Sequence, residues 1–417
     1  MSQADWDRLQ YYSRRVKFFK AITSNSYDFE VHPSSYFRIA QLQSSALFPS
    51  LRHLHYKLSD RSISHIFFFL SPLLDSLEFF NIRNFENTIV GPFLATLSSQ
   101  VSRIVLRDGR MPADILKKSI VHFKQLRSLE LLDAVLMSDF ALWEVLGTIP
   151  SLANLTLKAM DPGSHPAQAP DDSNSQSGVF KYFEALESLS VTGSFFLIQH
   201  LLDFIDSPCL KSINVYPVID RNSNHEPEDL FTPSMTIIAS KWPQSLKSLV
   251  IESSSARRYA ISKCLMLLLD LHEMQTFHLK DWRMENMDDD VRRLLMSWPR
   301  LRTLRLVPYN QAFLSLSTLG IIAENCPELR HLDTGIRLDT STIPPFDASR
   351  KNLRHKLEVL TIGKIHPYST MKTQIQVARY LDSIFPYLKS IEVQSNDETW
   401  SGISNLVELC QDIKRAK

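Results

Sequence analysis

The sequence predicts an α/β solenoid of about 13 stacked strand–helix units, with a curved parallel sheet on its concave face and helices on its convex face. Three observations carry that reading. An apolar residue followed by apolar residues three and five places later recurs from Leu51 to Leu388 with a mean spacing near 28 residues. A proline stands two places before seven of these starts: Pro49, Pro72, Pro150, Pro208, Pro299, Pro327 and Pro386. Glycine is scarce, 10 residues where average usage of about 7% would give roughly 29.

The thirteen starts are Leu51, Leu74, Val101, Leu126, Leu152, Leu186, Leu210, Leu246, Met274, Leu301, Leu329, Leu357 and Leu388. Clear instances are Leu126-Leu129-Leu131, Leu152-Leu155-Leu157, Leu301-Leu304-Leu306 and Leu357-Leu360-Ile362; the weakest is Leu329-Leu332, with Thr334 in the third place. Alternation at the last two apolar positions suits a short strand with those side chains in the core. Before each strand the apolar spacing is helical. Ser138 is placed to cap a helix burying Phe140, Trp143 and Leu146, and Asp288 one burying Val291, Leu294 and Leu295. Ser317 precedes Leu319, Ile322 and Ala323, and Val377, Leu381 and Ile384 repeat the spacing. Proline then halts each helix, since it cannot continue the hydrogen-bond ladder and drives the preceding residue towards extended geometry. One unit cannot bury its apolar stripe alone, so neighbours stack.

Residues 1–45 read as an N-terminal helical cap, with Trp6, Leu9, Tyr12, Val16 and Phe19 on one helical face between Asp5 and Phe19. Residues 46–395 hold the repeats and 396–417 a C-terminal helical cap with Trp400, Ile403, Val407 and Cys410. Two long steps, near 160–178 and 217–235, are rich in Pro, Ser and Asp and read as flexible insertions.

Composition narrows the function. There are 46 basic and 45 acidic residues, which argues against a nucleic-acid partner, whose phosphates demand a cationic excess. Cys209, Cys264, Cys326 and Cys410 show neither zinc spacing nor a disulfide framework. The opening residues lack the apolar core of a secretory signal, and no apolar run is long enough to span a bilayer. The expectation is a cytoplasmic or nuclear protein that meets no membrane.

The helix–Pro–x–Leu–x–x–Leu–x–Leu unit resembles leucine-rich repeats. Cys326-Pro327-Glu328-Leu329-Arg330-His331-Leu332-Asp333 looks like the cysteine-containing class common in F-box proteins. Asp5-Trp6-Asp7-Arg8-Leu9, followed by Tyr12-Ser13-Arg14-Arg15-Val16-Lys17, is similar to the segment after the F-box in fungal F-box/leucine-rich-repeat proteins, and Leu47-Phe48-Pro49-Ser50-Leu51-Arg52-His53-Leu54 to the start of their repeats. The resemblance implies substrate recognition in an SCF-type ubiquitin ligase. The F-box that would grip the ligase adaptor should precede Trp6, and the sequence begins where it would end.

There is no Gly-x-Ser-x-Gly, P-loop, Gly-x-Gly-x-x-Gly or His-Glu-x-x-His, so no catalytic residue, cofactor or metal is expected. His272-Glu273 lacks its second histidine, and Asp288-Asp289-Asp290 fits the favourable end of a helix dipole better than a metal site. Asn154-Leu155-Thr156 is a formal glycosylation sequon inside a strand.

What remains is the strand face. Residues two, four and six places after each start point away from the core, and the candidate partner-binding residues are His53, His55, Lys57, Arg103, Arg107, Lys158, Tyr216, His278, Lys280, Arg305, His331 and Asp333; Glu78, Glu130, Glu252 and Glu392 lie on the same face. The reading is a protein-binding scaffold of the F-box type, with a protein substrate or partner and a ligase adaptor where an F-box exists. The alternatives are a free-standing scaffold with no ubiquitin role and an uncharacterised α/β enzyme.

Overall fold

The structure is a computed structural model that describes residues 3–21, 46–57, 63–81, 87–97, 99–107, 113–133, 140–159, 182–218, 227–252, 260–309, 312–339, 341, 355–365, 370–393 and 398–415. The chain divides into two compact units. Unit 1 comprises Met1–Gly193 and Phe204–Cys209, and unit 2 comprises Ser194–Asp203 and Leu210–Lys417.

Unit 1 carries β1 (Phe18–Ala21), β2 (His53–Lys57), β3 (Ser76–Phe80), β4 (Arg103–Arg107), β5 (Ser128–Leu132), β6 (Asn154–Lys158) and β7 (Ser188–Gly193). Each strand pairs in parallel with the next in chain order. Unit 2 carries β8 (Ser212–Pro217), β9 (Ser248–Glu252), β10 (Thr276–Lys280), β11 (Thr303–Val307), β12 (Leu314–Ser315), β13 (His331–Arg337), β14 (Val359–Ile365) and β15 (Ser390–Val393). They follow the same rule, except that the two-residue β12 pairs only with the far end of β13. Parallel neighbours need a crossover between them, and helices supply most of these.

The apolar frame is the core. In the four clear repeats all twelve frame positions, from Leu126 to Ile362, are at most 2% exposed. Thr334, the odd member of the weakest repeat, is fully buried as well. Fully burying a leucine is worth about 1.5–3 kcal/mol, so these three columns are what bind one unit of the repeat to the next.

Proline does more than stop a helix. The residue before it, the C-cap in three helices, has left the helical region: Trp298 at φ −117°, ψ 65°, Cys326 at −121°, 65° and Phe385 at −124°, 69°. A following proline ring disfavours helical geometry at that position. Its carbonyl then accepts from the first frame residue, as Leu301 N–H to Trp298 O at 3.2 Å and Leu329 N–H to Cys326 O at 3.0 Å. Proline is thus the second residue of a tight turn, where its fixed φ is favoured.

Two backbone devices recur after that turn. One carbonyl accepts from two successive N–H groups of the next repeat: Gln275 O takes Arg302 N–H at 2.8 Å and Thr303 N–H at 3.0 Å, and Arg52 O takes Asp75 and Ser76 N–H at 2.9 and 3.0 Å. At the strand's exit Asn81, Asp133 and Asp281 adopt φ of 57°, 57° and 64°, a left-handed turn that Asn and Asp tolerate best among residues with a Cβ. Their N–H groups donate to Arg107 O, Lys158 O and Val307 O on the following strand.

Several expectations need correction. The helix at the start ends at Ser13, and Phe19 lies in β1, paired with Leu54, so residues 1–45 are not a purely helical cap. Trp6 is buried but Tyr12 is 54% exposed. Residues 227–235, placed in a flexible insertion, begin a helix, Pro227–Lys241, that buries Phe231, Ser234 and Met235; Pro217 closes β8. The remainder of that insertion at 219–226, the insertion at 160–178 and Ser138 lie outside the described residues. Asn286, not Asp288, is the N-cap of Met287–Ser297. Asp288 Oδ1 instead accepts from Ser315 N–H at 2.8 Å, Ser315 Oγ at 3.0 Å and Thr318 Oγ1 at 2.5 Å, tying one helix start to the next. The next helix is capped by Ser315, whose Oγ accepts from Thr318 N–H. At the other end Glu398–Arg415 is helical and buries Trp400, Ile403 and Val407. Lys414 Nζ lies 2.6 Å from Asp382 Oδ2 on the helix Met371–Ile384.

Candidate functional site

The face turned away from the leucine columns consists of three rows per sheet, because successive side chains alternate across a strand. All twelve candidate residues lie on strands at those outward positions. Parallel register places each beside the same position of the next repeat. In unit 1 the middle row runs Lys20, His55, Glu78, Val105, Glu130, Thr156, Ser190. In unit 2 it runs Asn214, Val250, His278, Arg305, Asp333, Thr361, Glu392. Strand-by-strand repetition of one frame, in chain order and with the same buried columns throughout, decides the fold. It is that of a leucine-rich-repeat solenoid.

In unit 1 of this solenoid, ion pairs lie across the face. Arg103 reaches Glu130 at 2.7 Å and Arg107 reaches Glu78 at 2.6 Å. Both arginines belong to β4, two places either side of Val105. Val105 is fully buried although it sits on the outward face. His55 Nε2 lies 3.3 Å from the other oxygen of Glu78, and its ring stacks on Phe80 at 4.5 Å and 8°. The Arg107 guanidinium carbon stands 5.8 Å from the same Phe80 ring. Burial pushes the His55 pKa down against the pull of Glu78. Lys158 pairs with Asp133 at 3.1 Å. His53 is exposed, 6.4 Å from the Phe18 ring, and Lys57 is half-buried.

In unit 2, Lys280 pairs with Glu252 and Arg305 Nε with Asp333 Oδ2 at 3.0 Å. The hydrogen bond to Glu252 raises the Lys280 pKa. Burial, then Glu252, raises that of Tyr216, and burial, then Arg305, lowers that of His278. Asp333 is only 5% exposed although it lies on the outward face, and its Oδ1 has no hydrogen-bond partner among the described residues. His331, two places earlier, is exposed. Removing Arg305 would leave the Asp333 carboxylate buried without a counter-charge. Arg305→Met is therefore expected to cost about 1–3 kcal/mol, more than a half-exposed ion pair usually yields. Adding Asp333→Leu to it should recover part of that loss in denaturant melts, and no recovery would show that the pair does not set the cost.

The frame therefore located the candidate residues but not their pairing. It also passed over Phe80 and Val105, whose apolar side chains hide outward positions, and Phe18 and Lys20, whose strand has no leucine frame. Cys326 is a core residue: its thiol donates to Leu295 O and Trp298 O at 3.7 and 3.6 Å, and burial pushes its pKa up to about 12. Among the described residues no group of three or more His, Cys, Asp or Glu could hold a metal ion, and no helix is long and apolar enough to cross a membrane.

No protein-family model matches the chain, and no curated protein matches it. Among solved structures it is similar to the leucine-rich repeat-containing protein LegL7 from Legionella pneumophila, with TM-score 0.40 and 12% identity over 86% of this chain and 97% of that one. It is also similar to a chain of the Rad7 and Elc1 complex in yeast, with TM-score 0.35 and 15% identity over 76% of this chain and 82% of that one. Both likenesses are weak; the fold rests on the strand order and the buried columns.

Proposed function

We propose that this chain is a non-catalytic protein-binding scaffold, cytoplasmic or nuclear, whose outward strand faces hold a protein partner. The observation that supports this most is the makeup of those faces. Their charged side chains are fixed by one another in rows on short, regular strands, Arg103 with Glu130, Arg107 with Glu78 and Arg305 with Asp333. Rigid polar groups in a repeated frame suit recognition of an extended or folded protein surface, since side-chain ordering is already complete before contact.

The finer reading is substrate recognition in an SCF-type ubiquitin ligase, supported by the resemblance of Asp5–Lys17 and Cys326–Asp333 to F-box/leucine-rich-repeat proteins. Affinity purification of the full-length gene product from its own cells, followed by mass spectrometry, tests both levels. The expected result is a partner whose recovery falls when outward residues are replaced, together with cullin and adaptor subunits. A partner without any cullin complex would leave a free-standing scaffold. A partner that binds equally well after outward residues of both units are replaced would remove the strand face from the account.

A further inference from the structure

The outward strand faces of the two units differ in charge. Besides Lys57, which is engaged elsewhere, the described residues of the three outward rows of β1 to β6 in unit 1 hold four cations, Lys20, Arg103, Arg107 and Lys158, against two carboxylates, Glu78 and Glu130. Asp133, just beyond the end of β5, makes it four against three. The same rows in unit 2 hold Lys280 and Arg305 against Glu252, Asp333 and Glu392, two against three. The chain as a whole is nearly neutral, at +1, so the surplus on unit 1 is local.

Depth adds to the count. The side chains of Arg103, Arg107 and Lys158 are 44%, 38% and 43% exposed, whereas their partners Glu130, Glu78 and Asp133 are 21%, 14% and 17% exposed. The carboxylates lie beneath and orient the cations; an approaching molecule meets the cations first. A guanidinium has five N–H donors, so an arginine held by one carboxylate still has donors to offer a second. Phe18, 56% exposed beside this patch, adds an apolar contact.

We infer that the outward face of β1 to β6 in unit 1 binds a carboxylate-rich, acidic segment of a partner protein. The inference rests on the protein-binding reading above and adds the class of partner and the place. A nucleic acid fits less well. Glu78 and Glu130 occupy the middle row between cations, so a continuous phosphate chain along that row meets negative charge. A peptide can set its carboxylates singly over Arg103, Arg107 and the lysines.

The test is fluorescence anisotropy of the whole chain with labelled oligoglutamate, oligolysine and oligothymidylate of matched length. Oligoglutamate is expected to bind best, with affinity falling as salt rises from about 50 to 200 mM, because exposed charges are screened over that range. Lys20→Glu with Lys158→Gln should weaken it by about tenfold or more, while Lys356→Gln, on unit 2 and outside the outward rows, should leave it unchanged. Circular-dichroism melts establish that the variants are folded; the salt dependence and probe ranking of the unaltered chain stand without them. Preference for oligothymidylate or oligolysine, absent oligoglutamate binding, or loss on Lys356→Gln alone would overturn the inference. None of these touches the scaffold reading, which fails only in the purification experiment.

Discussion

Replacing Trp298 by alanine is expected to destabilise unit 2 by about 3–5 kcal/mol, the range for emptying a buried aromatic site. Trp298 is fully buried, its ring centroid 5.0 Å from that of Phe277 on β10. Its indole N–H donates to Leu268 O at 3.2 Å, across one repeat. It also closes its helix and opens the proline turn that delivers Leu301. The substitution therefore removes core volume and a buried hydrogen bond at one point. Trp298→Phe should cost less, since it fills most of the space and loses only the hydrogen bond and one ring. Hydrogen exchange at the β10 and β11 amides, compared between the variants, checks this locally, which matters in a repeat chain whose unfolding is not one all-or-none step. Unchanged protection there after Trp298→Ala would contradict the packing account.

The second large effect is of pH. His355 is 1% exposed, and burial, opposed in part by the Cys326 carbonyl, lowers its pKa from 6.5 to about 4. Its Nδ1 accepts from Leu357 N–H at 3.1 Å. The folded ring resists the proton that the unfolded chain accepts, so stability is fully present above pH 6.5 and declines as pH falls towards 4. A shift of that size corresponds to about 3 kcal/mol at the acid end. His355→Asn keeps an acceptor for Leu357 and cannot titrate in this window. The difference between the two proteins' stability-against-pH curves isolates the histidine from carboxylates that titrate lower, such as Glu328 and Glu358. Parallel curves between pH 4 and 6.5 would reject the assignment.

The order of strands and the buried columns were legible because they depend on spacing alone. Leu129, Leu155 and Leu304 face the core as the frame requires. What spacing does not encode is depth and partner choice. Alternation places Asp333 on the outward side but says nothing about the neighbours that bury it. A carboxylate at a helix start reads as a local cap, and only the stacking of repeats sends Asp288 to Ser315 and Thr318 of the next one. The first strand was missed because Val16 and Phe19 continue the helical spacing begun at Trp6, while the turn at Arg14–Arg15 that breaks it carries neither glycine nor proline. The surplus of cations on one face is visible only once rows are aligned across strands.

At Arg52, Gln275 and Arg302 alike, the joint from one repeat to the next is a carbonyl shared by two amides. Such a seam consults no side chain. The outward residues can be exchanged one by one, and whole repeats gained or dropped, while the connection stays the same. A lineage carrying this chain is thereby free to change its outward surface without redesigning how it holds itself together.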